Sequence, residues 1–424
     1  MKKLLKKGLL VATAASLCAC SSNTSTDEST STQTTGGEPV SFAIWHTFTE
    51  DQQALLEMFA DEYEAAHEGV NIEVIGGYDS KGFEATVQDA VINGVGPQLV
   101  FNYASFAKNF DGYDMLIDFG ANWDLDYPSL VSAGTLEEAT SYDDGKIHSV
   151  PIQTTGPILF YNKAVYDELG LSEPKTWEDL KNNSKVVFEK TGKSGLAVDS
   201  LTDLATMFIL QSHDGKYVDI ASKKVLWNDE KTLEWVNWWA EGIQEGYFQI
   251  APTTGDYNSA DMNAGALVAY IGSSAGLPYL DLSAIDGELA VTRIPMIDET
   301  HNQVVNWNRS AIGFKKDEAT DKVVADFVKY LVEQNQRWVE CVTAYSPYYA
   351  VQENASYQEY VKGNIALEAL GLQINDGLVV PSFPGSAQVR EELKTLLAGA
   401  ADPNFDAQAA LENAAALSEA AMNE

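Results

Sequence analysis

Arginine is scarce in this chain of 424 residues: Arg293, Arg309, Arg337 and Arg390 are the only four, and they lie far apart. Lysine and arginine together number 27 against 62 aspartates and glutamates, a formal net charge of −35. A phosphate backbone needs clustered cations, and no basic stripe exists beyond the first residues, so nucleic-acid binding is excluded. Cysteine is nearly absent, with Cys18, Cys20 and Cys341 alone, so no structural disulfide is expected. His67, His148, His213 and His301 have neither His-x₃-His spacing nor a cysteine pair, so no metal site and no cofactor is expected. No glycine-rich loop ends in Lys-Ser/Thr, which excludes the ATP-hydrolysing class built on that loop. No apolar run beyond the first residues reaches the roughly 18 that argue for a membrane-spanning helix. What remains is 45% hydrophobic and 10% aromatic, a globular composition, at a length that suits two or three domains or two lobes of one chain. The acidity describes a well-solvated surface and says nothing about the fold.

Lys2, Lys3, Lys6 and Lys7 precede a short apolar stretch, Leu9 to Ala15, too short to span a bilayer. This reads as a secretory leader over residues 1–19. The segment Leu17-Cys18-Ala19-Cys20 resembles the bacterial lipobox, which implies cleavage before Cys20 and its lipidation, palmitate included. Cys18 is the worse acceptor, because Leu17 would then occupy a small-residue position. An ordinary leader with incidental cysteines is the alternative. Cleavage at Cys20 removes four lysines and leaves a net charge of −39. One acyl chain anchors only marginally, whereas several on one cysteine hold firmly. Residues 20–39, rich in Ser and Thr with Gly36-Gly37, read as a lipidated cysteine and a flexible tether.

The folded part starts near Val40. Ser41–Trp45 is a strand-like run. Leu55, Leu56, Phe59 and Tyr63 share one face of a helix predicted over 50–66, and Val70–Ile75 alternates as a half-buried strand does. A helix over 83–93 and a strand over 98–101 complete a β-α-β-α-β order, which implies a parallel sheet covered by helices. A second region repeats the theme. It has strands at 158–161, 195–198 and 266–271, a helix opened by Thr176-Trp177-Glu178-Asp179, and further helices over 229–246, 319–332 and 406–422. No internal repeat is present. Trp227, Trp235, Trp238 and Trp239 fall at helical spacing and read as core rather than as a binding cage.

Several segments resemble the extracellular solute-binding proteins of bacterial ATP-driven importers, the maltose-binding-protein-like group. The most specific runs through Gly145-Lys146-Ile147-His148-Ser149-Val150-Pro151, Leu159-Phe160-Tyr161-Asn162-Lys163, Gly170-Leu171, Pro174 and Thr176-Trp177. Phe42–His46 with its following helix, Ala90–Val100, Gly265–Val268 and Ala344–Pro347 extend it over residues 40 to about 400; Gln98 stands where the family usually has Asp. The resemblance implies an α/β, two-lobed periplasmic-binding-protein-like fold. Each lobe is a mainly parallel sheet flanked by helices, and crossing strands join them. Lobe 1 is expected to comprise 40–150 plus 276–311 and lobe 2 to comprise 151–275 plus 312–424, with crossings near 150–152, 272–276 and 310–313.

Ligands of open α/β sheets bind beyond the carboxyl ends of strands, and clefts between lobes are preferred sites. A sugar needs flat aromatic plates and bidentate polar groups. The loop tips offer Trp45, His46, Glu84, Asn102, Tyr103, Thr155, Asp203, Ser273, Ser274, Trp307, Asn308, Arg309 and Tyr345. By resemblance, Trp45, His46, Glu84, Asn102, Thr155, Ser273, Ser274, Trp307, Asn308 and Tyr345 fall where relatives contact ligand. The expected function is a lipid-anchored receptor on the outer face of the cell membrane. It would close around a carbohydrate and deliver it to the membrane permease subunits of an ABC importer, as a monomer and without catalysis.

Three other readings stay open. A glycerol-3-phosphate or glycerophosphodiester ligand fits the N-terminal half, but needs cleft cations. Arg309 is the only Arg near an expected tip, and Pro381–Gly385 departs from the Arg-bearing segment of that subgroup. A secreted hydrolase could use Ser274 of Gly272-Ser273-Ser274-Ala275-Gly276, which fits the nucleophile-elbow pattern. Its base would be His301, only 27 positions on, with Asp281, Asp286 or Asp298 to orient it. A surface sensor or adhesin would keep the fold without transport.

Overall fold

The computed structural model describes residues 39–423, apart from 254–256, 284, 286–288, 379, 382 and 384. The leader, Cys20, the tether up to residue 38 and Asp286 lie outside the described residues.

Two five-stranded sheets organise the chain. The first orders its strands Val70–Ile75, Val40–Trp45, Leu99–Tyr103, Trp307–Gly313 and Ser149–Thr155. The second orders Leu289–Thr292, Pro157–Asn162, Ala269–Ser273, Leu196–Val198 and Phe248–Gln249. In each sheet one strand runs against the other four: Trp307–Gly313 in the first and Pro157–Asn162 in the second. The fold is therefore mixed α/β with mainly parallel sheets, as the β-α-β order implies.

The helices follow their local signals. Glu50–Ala66 buries Leu56, Phe59, Ala60 and Tyr63 against the first sheet. Trp177–Thr191 opens with a reciprocal capping box between Thr176 and Asp179 and ends at Gly192, whose φ of 70° needs no Cβ penalty. Glu230–Glu245 buries Trp238 and Trp239, and Trp227 just before it is fully buried too. Two indole N–H groups of the cluster find partners: Trp239 donates to the Leu397 carbonyl at 3.1 Å and Trp235 to Ser212 Oγ at 2.9 Å, whereas the Trp227 and Trp238 N–H groups are buried without one. The tryptophan cluster is core, as its spacing indicates.

Each sheet carries apolar clusters on both of its faces, and these two cores define two lobes. The chain passes between them at Gly156, at Asn306 and at 363–364, where one strand or helix ends on one core and the next begins on the other. This corrects the expected partition. Residues 289–292 pair with Pro157–Asn162, so the segment 276–305 belongs with the second sheet. Trp307–Gly313 and the helices Glu318–Glu333 and Asn335–Val342 pack in the first core, so 312–362 does not belong to lobe 2. No crossing occurs at 272–276; the turn there stays on the second lobe, where Leu277 and Leu280 pack. Local periodicity finds strands but does not say which sheet a returning strand joins, and the inserted antiparallel strand is a non-local choice. Cys341 is a free, exposed thiol, and no helix among the described residues is long and apolar enough to cross a membrane.

Candidate ligand-binding cleft

Strand ends bring the site together. Tyr103 ends Leu99–Tyr103, Thr155 ends Ser149–Thr155, and Ser273 ends Ala269–Ser273; Asp199 follows Leu196–Val198 directly. Trp307 opens the antiparallel strand and so reaches the same edge. These groups line a continuous cleft of three chambers. The first, about 490 Å³, is walled by Asp199, Asp203, Tyr257, Tyr270, Tyr279 and Trp307. The second, about 390 Å³, shares Asp203, Ser273 and Trp307 with it and adds Tyr103, Thr155 and Arg390. The third, about 780 Å³, takes Glu84, Lys108, Asp111 and Asp143 from the first lobe and Thr202, Ser386, Arg390 and Glu391 from the second.

Trp307 is the plate at the junction. Tyr103 meets it edge-on at 5.9 Å and 72°, and the Arg390 guanidinium lies 4.8 Å over its ring. Arg390 projects from the helix Ser386–Ala398, and its Nη2 is 3.8 Å from Asp203 Oδ1. Asp203 sits in the first turn of Leu201–Ser212, where Ser200 Oγ caps its N–H at 3.2 Å. Burial raises the Asp203 carboxyl above the usual range, opposed by Arg390 and by hydrogen bonding to Ser200 and Trp307. Asp199 is accessible from the cleft, yet its walls withdraw enough water to raise its carboxyl as well; the Asn258 N–H and Nδ2 donate to it at 3.0 and 2.9 Å. The cations are spent on acids: Arg390 on Asp203, and Lys108 on Asp111 at 2.7 Å.

Of the thirteen candidate contacts, Glu84, Tyr103, Thr155, Asp203, Ser273 and Trp307 line these chambers. Asn102 lies behind them, buried, donating to Glu84 at 3.1 Å. The other six are withdrawn from the chambers. Trp45 stacks on Tyr78 at 5.1 Å in a core cluster. His46 is fully buried; its Nδ1 accepts from the Phe48 N–H at 3.0 Å, and burial with nearby Arg309 lowers its pKa to about 4, so the ring is neutral. Arg309 stacks on Phe48 at 4.7 Å and bonds Thr47. Asn308 is buried, accepting from Thr154 Oγ1 at 2.6 Å and donating to Glu138 Oε2 at 2.7 Å; burial pushes that glutamate up to about 7. Tyr345 is half-buried at the crossing, where its N–H and C=O pair with Thr154.

Ser274 is fully buried, with its Oγ accepting from the Gly156 N–H at 3.4 Å and its N–H donating to the Gly156 carbonyl at 2.8 Å. His301 instead pairs with Asp298 and Asp214. The elbow motif is thus a tie on the crossing. Asp199, Tyr257, Tyr270, Tyr279 and Arg390 escaped the sequence reading. Asp199 alone carried a signal, as the residue directly after a predicted strand. Arg390 is the cleft arginine, supplied by a helix rather than by the expected tip at Arg309.

Two α/β lobes, crossed three times by the chain and enclosing a cleft at their strand ends, define a two-lobed solute receptor. Residues 58–364 match the bacterial extracellular solute-binding protein family, and the chain belongs to that family. Its members are binding proteins, not enzymes. Solved structures share the fold. The cyclic alpha-maltosyl-1,6-maltose binding protein from Arthrobacter globiformis has a TM-score of 0.79 at 19% identity, over 91% of this chain and 99% of that one. The GacH receptor of Streptomyces glaucescens, solved unliganded and with acarbose, has 0.75 at 17%, over 91% and 98%. The sugar-binding protein MalE from Xanthomonas citri has 0.76 at 15%, over 90% and 97%.

Proposed function

We propose that this chain is the extracellular receptor of an ABC importer for a carbohydrate, held at the cell membrane by lipid on Cys20. The ligand bridges both lobes, so only a closed state gains all of its contacts, and binding shifts the population toward closure. The closed form then docks on the permease. The contact set we assign is Tyr103, Thr155, Asp199, Asp203, Tyr270, Ser273, Trp307 and Arg390, with Glu84 toward the far end.

The observation that carries this reading is the junction at Trp307. A flat indole lies at the strand-end edge of the cleft, Tyr103 braces it, and Asp203 and Ser273 stand beside it. Plates and hydroxyl-binding groups side by side suit a sugar ring. The similarly folded proteins bind cyclic alpha-maltosyl-1,6-maltose, acarbose or a sugar, which supports the same class. A phosphate ligand would need uncommitted cations, and both cleft cations face carboxylates.

The test is a thermal-shift panel on the mature chain, with malto-oligosaccharides, other saccharides, polyols and glycerol-3-phosphate. A ligand at 100 times its Kd adds about 2.7 kcal/mol, and at about 2–4 °C per kcal/mol that shifts melting by several degrees. A shift with saccharides is expected. A shift with glycerol-3-phosphate alone would replace the carbohydrate by a phosphate.

A further inference from the structure

The first chamber is chemically one-sided. Its charged lining residues are Asp199 and Asp203, and its rings are Tyr257, Tyr270, Tyr279 and Trp307. Among the described residues no Lys, Arg or His forms an ion pair with Asp199, whose oxygen is held by Asn258 alone. Asp203 has Arg390 at 3.8 Å, but Arg390 lines the second and third chambers and not this one. Asp203 Oδ1 is buried without a hydrogen bond. Tyr270, 1% exposed and stacked on Phe160 at 4.8 Å, also has a buried hydroxyl with no partner. At the mouth Tyr257 and Tyr279 stand 66% and 71% exposed, large rings with open faces.

Neutral hydroxyls would satisfy the oxygens of this chamber and leave its charge uncompensated. An ammonium group does both. It donates to carboxylate and phenol oxygens, and it is drawn to the ring faces by their quadrupoles, an attraction of about 0.5–2 kcal/mol that grows as water leaves. Low-dielectric walls focus the field of the two carboxylates on the same space. The rest of the cleft is of mixed charge, so this preference is local.

We propose that the first chamber receives a positively charged nitrogen, and that the saccharide bound by this protein carries an amino group on the unit seated among Asp199, Asp203, Tyr270 and Tyr279. The proposal rests on the carbohydrate reading above and adds the class of sugar to it. The ammonium donates to the two carboxylates and to Tyr270 Oη, and its carbon neighbours lie on the Tyr279 and Trp307 rings.

The test compares glucosamine oligomers with N-acetylglucosamine oligomers and malto-oligosaccharides of equal length, by calorimetric titration of the mature chain. Because the whole chain is acidic, the titrations run near 0.3 M salt, where non-specific attraction is screened within several Å. The amino oligomer is expected to bind one to one and at least tenfold more tightly than the neutral ones. Asp199→Asn keeps an acceptor for Asn258, so the fold is retained, and it is expected to erase the difference. Tyr279→Ala, at an exposed ring, is expected to weaken the amino oligomer several-fold. Neutral oligomers binding as tightly as the amino one would overturn the proposal and leave the carbohydrate reading standing. A preference that survives in Asp199→Asn would overturn it too, since it would mark general attraction to an acidic surface. No saccharide binding at all would overturn both.

Discussion

Replacing Trp307 by alanine removes the plate at the junction of two chambers. Arg390 lies over the indole at 4.8 Å and Tyr103 meets it edge-on, and the part of the ring that stays open lines both chambers. A tryptophan buries about 200 Å² in full contact, so one face accounts for about 100 Å². At about 25 cal/mol per Å² this is about 2.5 kcal/mol of binding free energy, or roughly 60-fold in Kd. Losing the Tyr103 pair and the Arg390 contact costs the fold about 1–2 kcal/mol. That is small enough to leave a folded protein, because Trp307 packs on the margin of its core. Titration calorimetry on wild type and Trp307→Ala, with urea unfolding to separate stability from affinity, measures both. Trp307→Phe should recover part of the affinity. A Trp307→Ala protein that folds and binds within threefold of wild type would refute the plate.

Glu138→Gln keeps an acceptor for Asn308 while removing a carboxyl whose pKa is raised to about 7. The wild-type glutamate favours folding below its unfolded pKa, near 4.5, and that contribution is lost as pH rises to 7. The variant is therefore expected to gain up to about 3 kcal/mol over wild type at pH 8 and almost nothing at pH 4, read by urea unfolding at both. Gly242→Ala would ordinarily stabilise a helix by about 1 kcal/mol. Here a Cβ would collide with the Phe248 ring, so a lower melting temperature is expected instead. Metabolic labelling with palmitate should mark the wild-type chain in membranes, and Cys20→Ala should lose the label; a labelled variant would refute lipidation there.

Much of the fold was legible because its signals are local. The 50–66 helix announces itself by its period, the helix after Thr176 by its cap, and the Trp227–Trp239 cluster by its spacing. The partition into lobes was not legible. The strand Trp307–Gly313 inserts antiparallel between Leu99–Tyr103 and Ser149–Thr155, a pairing across some 150 to 200 residues that no local pattern encodes. Tyr103, Thr155, Ser273 and Trp307, read from the sequence as loop-tip residues, line the cleft because topology puts strand ends there. His46 was misjudged although it follows a strand, because the chain turns back at Phe48 and takes its imidazole inside. Arg390 and Tyr279 come from a helix and a turn far along the chain, and only tertiary packing carries them to the cleft.

Small-angle X-ray scattering of the mature chain, with and without a saccharide that raises its melting temperature, measures the closure most directly. A smaller radius of gyration is predicted on saturation in wild type, and none in Trp307→Ala at the same concentration. An unchanged radius in wild type at saturation would contradict capture by two closing lobes.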